Sequence, residues 1–258
     1  KIAYQYACLM TIIVYTTVST ITATPTITFL DVGQGDASLI EGKHGEVILI
    51  DTGPKYYVRK GQPYYNIANN VLIPVLNYKG IEAIDLLIIT HFDQDHYGAL
   101  ADLADKIKIK KIIDNGNGNT HLKFQNTIKK HNIPVHTIQQ GDQISLNKHI
   151  QLFCLSPNKL LKNDSKNNQS LVLKAIIYDL TVLFTGDISE KIEMQLSKRY
   201  PKILKSNILK VAHHGSKTSS SQLFLKTVDP EQCIISAGLQ NQYNHPHKSV
   251  INRLQHTC

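Results

Sequence analysis

The 258-residue chain contains no tryptophan, two methionines, six phenylalanines and four cysteines. Cys8, Cys154, Cys233 and Cys258 form no CxxC pair and match no zinc-ribbon spacing, which excludes a cysteine-held zinc module. They read as buried thiols, Cys8 within an apolar N-terminal segment, and they do not decide a redox compartment. A dinucleotide fingerprint is missing as well. "DVGQGD" places Gly33 and Gly35 in a turn, but no helix follows. No repeat of solenoid period is present, which excludes a stacked-repeat architecture. Charge is not massed in runs: 28 Lys and Arg are scattered among 20 Asp and Glu, a net charge of +8. That balance favours an anionic partner, nucleic acid or an anionic membrane, without marking a basic tail.

The one long stretch without charge is "ACLMTIIVYTTVSTITA", residues 7–23. It is apolar, Thr-rich, and somewhat short and mild for a spanning helix. It reads as a fragment of a transmembrane helix. A signal peptide is the competing reading, because Lys1 precedes the run and small residues follow. The first residue is Lys rather than Met, so a longer parent chain is expected. No Lys or Arg follows Lys1 until Lys43, which by the positive-inside tendency turns the bulk of the chain away from the cytoplasm. Residues 1–24 are therefore one unit and residues 25–258 another.

The second unit, in a chain that is 42% hydrophobic, has ample material for a core. "TITFLDV", "DASLIEG" and "EVILIDTG" read as three short strands joined by glycine turns, a meander. Residues 66–80 carry apolar side chains at helical period and end at Gly80, with Pro74 inside the run as a candidate kink. "IDLLIIT" is a buried strand and "GALADLADK" a helix. Further on, strands and helices alternate: "KKIID", "THLKFQNTIKKHN", "PVHTI", "HIQLFCLSP", then "SLVLKAIIY" and "LTVLFTG" turning at Asp179. "SEKIEMQLSKRY" reads as a helix opened by Ser189, with Glu193 near the capping-box position. "NILKVA", "SSSQLFLKTV", "QCIISAG" and "KSVINRLQ" complete the pattern. Two β-rich halves with helices outside imply an α/β fold, an αββα layered sandwich.

Polar residues collect where the apolar strands end. "LLIITHFDQDH" delivers His91, Asp93, Asp95 and His96 within six positions. A divalent metal needs neutral imidazoles and ionised carboxylates converging from a rigid frame, and this set has ligands for one ion or two, a count the motif alone leaves open. The plain alternative is a solvated turn. "VLFTGD" ends in Asp187, either a ligand bridging two ions or an N-cap for the helix near Ser189. "LKVAHHGS" presents His213 and His214. In a continued strand only one of them reaches a given metal; in a turn both line the site. "NQYNHPH" holds His245 and His247, candidates for a general acid, or ordinary loop residues. Asp36 lies near the glycine turn, and Asp51 in "LIDTG" is suited to orienting a histidine.

Together these stretches resemble the metallo-β-lactamase superfamily, whose strand-end motif HxHxDH stands here as H-F-D-Q-D-H. More narrowly, "FLDVGQGDASLI", "ILIDTG", "THFDQDHYGAL", "NNQSLVLK", "VLFTGDI", "LKVAHHGS" and "NQYNHPH" resemble the C-terminal hydrolase-like domain of the ComEC competence proteins. The matching residues run from Phe29 to His247. The resemblance implies a four-layer sandwich preceded by a membrane helix, with a chain cut at both ends. It also implies a site for two divalent ions, Mn2+ or Zn2+. His91, Asp93 and Asp187 would hold the first ion; Asp95, His96, Asp187 and one of His213 and His214 the second. Asp93 replaces the superfamily's second histidine, and no histidine between the first cluster and Asp187 fits the next ligand position. The family pattern places Asn168 or Ser170 there instead. Carboxylate for imidazole makes the first site harder, favouring manganese and weakening that site. The implied activity is DNA phosphodiester hydrolysis with Asp95, His245 and His213 in catalytic roles and Ser216 and Lys217 on phosphate. The implied setting is the inner membrane of a bacterium, facing the periplasm, with DNA and other uptake proteins as partners. A DNA-guiding domain without activity, and a hydrolase of another phosphodiester or ester, are the alternatives.

Overall fold

Strands that are apolar on both faces need cover on both, and this chain provides it with two sheets back to back and helices outside. The structure, a computed structural model, describes residues 24–57, 65–158 and 164–258. The expected membrane segment, residues 1–23, lies outside the described residues. Among those described, no helix is long and apolar enough to cross a membrane.

The first sheet holds β1 (Thr26–Phe29), β2 (Ser38–Glu41), β3 (Val47–Ile50), β4 (Leu86–Ile88), β5 (Ile112–Asp114) and β6 (Val135–Thr137), in that spatial order. The expected meander forms its antiparallel part, β1 to β3, and β3 to β6 are parallel. The second sheet is built alike from β7 (Gln143–Ser145), β8 (Ile150–Ser156), β9 (Val172–Ile177), β10 (Leu180–Phe184), β11 (Ile208–Lys210) and β12 (Gln232–Ile234). There β7 to β10 are antiparallel and β10 to β12 parallel.

Period-two alternation sorts the side chains into layers. In β3, Ile48 and Ile50 enter the core between the sheets, while Val47 and Leu49 face the helices on the other side. In β10, Val182 and Phe184 join that inner core and Leu183 joins the outer one. The outer helices are α1 (Ile73–Tyr78), α2 (Gln94–Tyr97), α3 (Leu100–Ala104) and α4 (Leu122–His131) on the first sheet's side, with α5 (Glu190–Arg199), α6 (Gln222–Val228) and α7 (Lys248–Leu254) on the second's. This is the expected αββα sandwich.

Three local expectations change. The 66–80 helix is two segments, a π-helical turn Ala68–Leu72 and then α1, with Pro74 in the first turn of the second. Proline has no N–H to give there, and the first turn needs none. Ser189 caps α5 by position only: its side chain makes no cap bond, and Glu193 turns away to accept the N–H groups of Ser220 and Ser221. Finally, Cys233 and Cys258 are not thiols but a disulfide, their Cα atoms 6.0 Å apart. It ties β12 to the segment after α7. Cys154 is the buried thiol that was expected, and burial pushes its pKa up to about 12.

Candidate metal centre

The parallel strands β3, β4, β10 and β11 all end at one rim of the sandwich, and the ends of β3, β10 and β11 turn through left-handed residues. Asp51 follows β3 at φ 61°, and His213 and His214 follow β11 at φ 50° and 54°. Left-handed backbone at non-glycine residues costs free energy and persists only where surrounding contacts hold it. The turn after β11 is what allows both histidines to face the rim.

Asp187 stands at the centre, 2% exposed. Its Oδ1 lies 3.2 Å from His96 Nε2. Its Oδ2 lies 3.6 Å from His214 Nε2, 3.7 Å from His213 Nε2 and 3.9 Å from His91 Nε2. Asp95 Oδ2 is 3.2 Å from His214 Nε2. Asp95, His96, Asp187 and His214 each bring a ligand atom to within 4.8 Å of the others. The Nε2 atoms of His91, His96 and His214 and Asp187 Oδ1 are buried yet make no hydrogen bond. Buried polar atoms without partners are costly unless something else fills the role.

The histidine tautomers explain the arrangement. His96 Nδ1 is 2.8 Å from Asp51 Oδ2, and His214 Nδ1 donates to Ser236 O at 2.9 Å. Thr90 Oγ1 donates to Asp51 Oδ2 at 2.7 Å, which leaves its oxygen to accept from His91 Nδ1 at 3.2 Å. With every Nδ1 occupied by an acceptor, every Nε2 lone pair points inward. A divalent cation fits this donor set of imidazole nitrogens and carboxylate oxygens.

The charges agree. Burial disfavours a charged His214, but Asp187 and Asp36 outweigh it and raise its pKa to about 10. His96 is likewise raised against burial by Asp187 and Asp51. Asp187 is held well below the usual carboxylate range against burial by His96 and His214. Burial, together with His96, pushes His91 down to about 3. Asp95, His96, Asp187 and His214 would hold a divalent cation, whose charge would offset the carboxylates that raise His214 and His96.

The remaining candidates separate into three positions. His91 and Asp93 sit beside the four-residue cluster, His91 Nε2 being 3.7 Å from Asp93 Oδ2. His213 lies at the edge: its Nε2 is 3.3 Å from Asn167 Nδ2, and its ring is 5.6 Å from that of His245. His245 keeps a buried Nδ1 without a hydrogen bond, and burial lowers its pKa, helped by His213. Asp36, Asp51, Asn168 and Ser170 support from behind. Ser170 Oγ accepts the Asp187 N–H, and Asn168 Oδ1 accepts that of Ser189. Asn168 and Ser170 thus stand behind the ligands, one of the two positions expected for them, and Asn167 lines the cleft. Ser216 bonds Thr218, and the exposed Lys217 is not among the residues that line the cleft. His247 caps α7 through its Nδ1, a structural duty. Gly35 explains the glycine turn: a Cβ there would meet Asp95 O at 2.4 Å. The turn braces the ligand loop from below, with the Asp36 N–H on Asp95 O.

Asp51 holds His96 Nδ1 directly and His91 Nδ1 through Thr90, so its replacement tests how the support behind these two imidazoles aims them. Asp51→Ala is expected to weaken metal affinity by about 10- to 100-fold while the chain stays folded, read by metal titration alongside circular dichroism. Unchanged affinity would show that His96 is aimed by other means.

The profile of the Metallo-beta-lactamase superfamily matches residues 30–149. ComE operon protein 3 of Bacillus subtilis is 34% identical over 238 residues, 89% of this chain and 30% of that protein. Competence protein ComA of Neisseria gonorrhoeae is 31% identical over 229 residues, 89% of this chain and 29% of that one. This chain thus spans about 30% of the length of these relatives. Among solved structures, the metallo-beta-lactamase fold protein YhfI from Bacillus subtilis superposes with a TM-score of 0.57 at 11% identity, over 90% of this chain and 93% of that one, a likeness of fold alone. With the sandwich, the strand-end ligands and these relatives in agreement, the chain has the metallo-β-lactamase fold and belongs with the competence proteins of the ComEC family.

Proposed function

We propose that this chain is a metal-dependent phosphodiesterase that cleaves DNA, working within a membrane protein of DNA uptake and natural transformation. The observation that carries the reading is the set of buried Nε2 atoms without hydrogen bonds around Asp187 at the floor of an open cleft. Relatives named as competence proteins make DNA the favoured substrate. Divalent ions, Mn2+ or Zn2+, would supply Lewis-acid activation of water and offset phosphoryl charge. Asp95, His96, Asp187 and His214 would hold one ion; His91, Asp93 and Asp187 would hold a second more weakly. His245 and His213, side by side on the cleft wall, donate hydrogen bonds to phosphate or hand a proton to the leaving oxygen. Lys166, exposed and 4.0 Å from Asp93, brings positive charge to the rim for the strand's phosphates. The disulfide Cys233–Cys258 favours an oxidising compartment, in keeping with a domain on the periplasmic side of an inner membrane.

The test is cleavage of labelled single- and double-stranded DNA by purified protein with Mn2+ or Zn2+, beside a panel of chromogenic phosphodiesters and esters. Cleavage of the panel with DNA untouched would favour a hydrolase of another ester.

The looser spacing around His91 and Asp93 favours a second reading, a DNA-guiding domain with an incomplete centre. Less than about one ion per chain, with salt-dependent DNA binding intact, would support it. Asp93→His is expected to raise zinc content towards two ions per chain, because imidazole suits zinc better than a half-exposed carboxylate. Equal zinc in both proteins would show that Asp93 does not limit the first site.

A further inference from the structure

The cleft above the ligands holds about 830 Å3, and its wall carries an exposed aromatic that the metal chemistry does not use. Tyr243 is 56% exposed and its ring lies on that of His245, with centroids 5.7 Å apart and planes 26° from parallel. His245 in turn stands 5.6 Å from His213, whose Nε2 is 3.7 Å from Asp187 Oδ2. Tyr243, His245 and His213 therefore form a row that leads to the ligands. Tyr56, 45% exposed, also lines the cleft.

The loop that presents Tyr243 is held in place. Asn241 Oδ1 accepts the N–H groups of Tyr243 and His245, and Asn241 Nδ2 donates to Gly238 O and His245 O. Gln34 accepts the Gly238 N–H, and Ser236 Oγ donates to Gly35 O, which joins this loop to the turn beneath the metal ligands. A tyrosine displayed to solvent on a braced loop has its ring face ready before any ligand arrives, so binding costs little ordering entropy.

We propose that the cleft takes an unpaired DNA strand, with a base stacked on Tyr243 and the adjoining phosphate at the metal ligands. This rests on DNA being the ligand of the site. Within a duplex each base face is covered by its neighbours, so a shelf of this kind meets a base only when the strand is single or the base is turned out. Every base has a π-face, so the shelf selects unpaired strands without selecting sequence. Lys166 on the rim supplies the charge that follows the backbone.

The experiment is fluorescence anisotropy with a labelled oligothymidylate, a duplex of the same length and a fully abasic strand. Mn2+ is present throughout and the strands carry phosphorothioate linkages that resist cleavage, so that the site keeps its ion while binding is read. The single strand is expected to bind more tightly than the duplex. Tyr243→Ala is expected to weaken single-strand binding about tenfold, since base–aromatic stacking is of that order, and Tyr243→Phe to retain it. The abasic strand should bind wild type and Tyr243→Ala equally. Tyr78→Ala, an exposed tyrosine that does not line the cleft, should change nothing. Equal affinity for duplex and single strand, or an unchanged or equally abasic-sensitive Tyr243→Ala, overturns the proposal. Binding through Tyr243 without cleavage under any metal would sink the nuclease reading and leave the stacking shelf standing.

Discussion

Asp187→Asn is expected to abolish both metal retention and cleavage. Asparagine keeps the shape but offers one neutral oxygen and an NH2 group that points hydrogens at imidazole lone pairs. Asp187 alone faces all four of His91, His96, His213 and His214, so no neighbour replaces it. Metal content, by mass spectrometry, should fall to a small fraction of an ion per chain. DNA cleavage should fall on the order of 10^3-fold or more, equivalent to about 4 kcal/mol of transition-state stabilisation. The fold should persist, because Asp187 belongs to the ligand cluster at the rim and to none of the apolar core layers. Retention of both metal and activity would remove Asp187 from the centre.

The second large effect is on stability. Lys210 ends β11 with its side chain 4% exposed, and its Nζ lies 2.6 Å from Asp36 Oδ1. Burial opposes the charge on Asp36, but Lys210 and then His214 outweigh it and hold the carboxyl below the usual range. Asp36→Ala leaves the ammonium buried without its counter-charge, which costs about 3–5 kcal/mol. For a chain of this size that lowers Tm by roughly 6–20 °C. Adding Lys210→Met should recover much of the loss, since an apolar side chain of similar length fills the space without charge. His214 keeps its bond to Ser236 O, so metal titration distinguishes this loss of stability from a loss of ligand orientation. A melting temperature unchanged in Asp36→Ala, or a double variant no better than the single, would show that the pair carries no such weight.

The layered architecture was legible because its signals are local. Unbroken apolar runs in "EVILI" and "LLII" and glycine turns between short strands imply strands buried on both faces, whatever lies across from them. The cluster His91–His96 was legible for the same reason, since a strand end gathers its own neighbours. The capping box at Ser189 failed because Glu193 found two free N–H groups 27 and 28 residues away, which a local pattern does not reveal. The Cys233–Cys258 bridge was missed because four cysteines without motif spacing say nothing of which two meet. Asn167, neighbour of the expected Asn168, reaches the cleft through a turn of 3-10 helix whose phase the sequence leaves open. Tyr243 carried no signal at all beyond its place before His245.

What the sequence determined by itself is the family and the set of candidate ligands. Residues able to ligate metal follow apolar strands at 91–96, 187 and 213–214, and the stretches around them match one family. What only the tertiary structure decided is the partition of duties among those residues. His213 and His214 are chemically identical and adjacent. The left-handed turn sends His214 inward to Asp95 and Asp187 and leaves His213 at the edge beside Asn167 and His245. Backbone torsion and the partner at each Nδ1 decide where a lone pair points, and both are set by contacts between segments far apart in the chain.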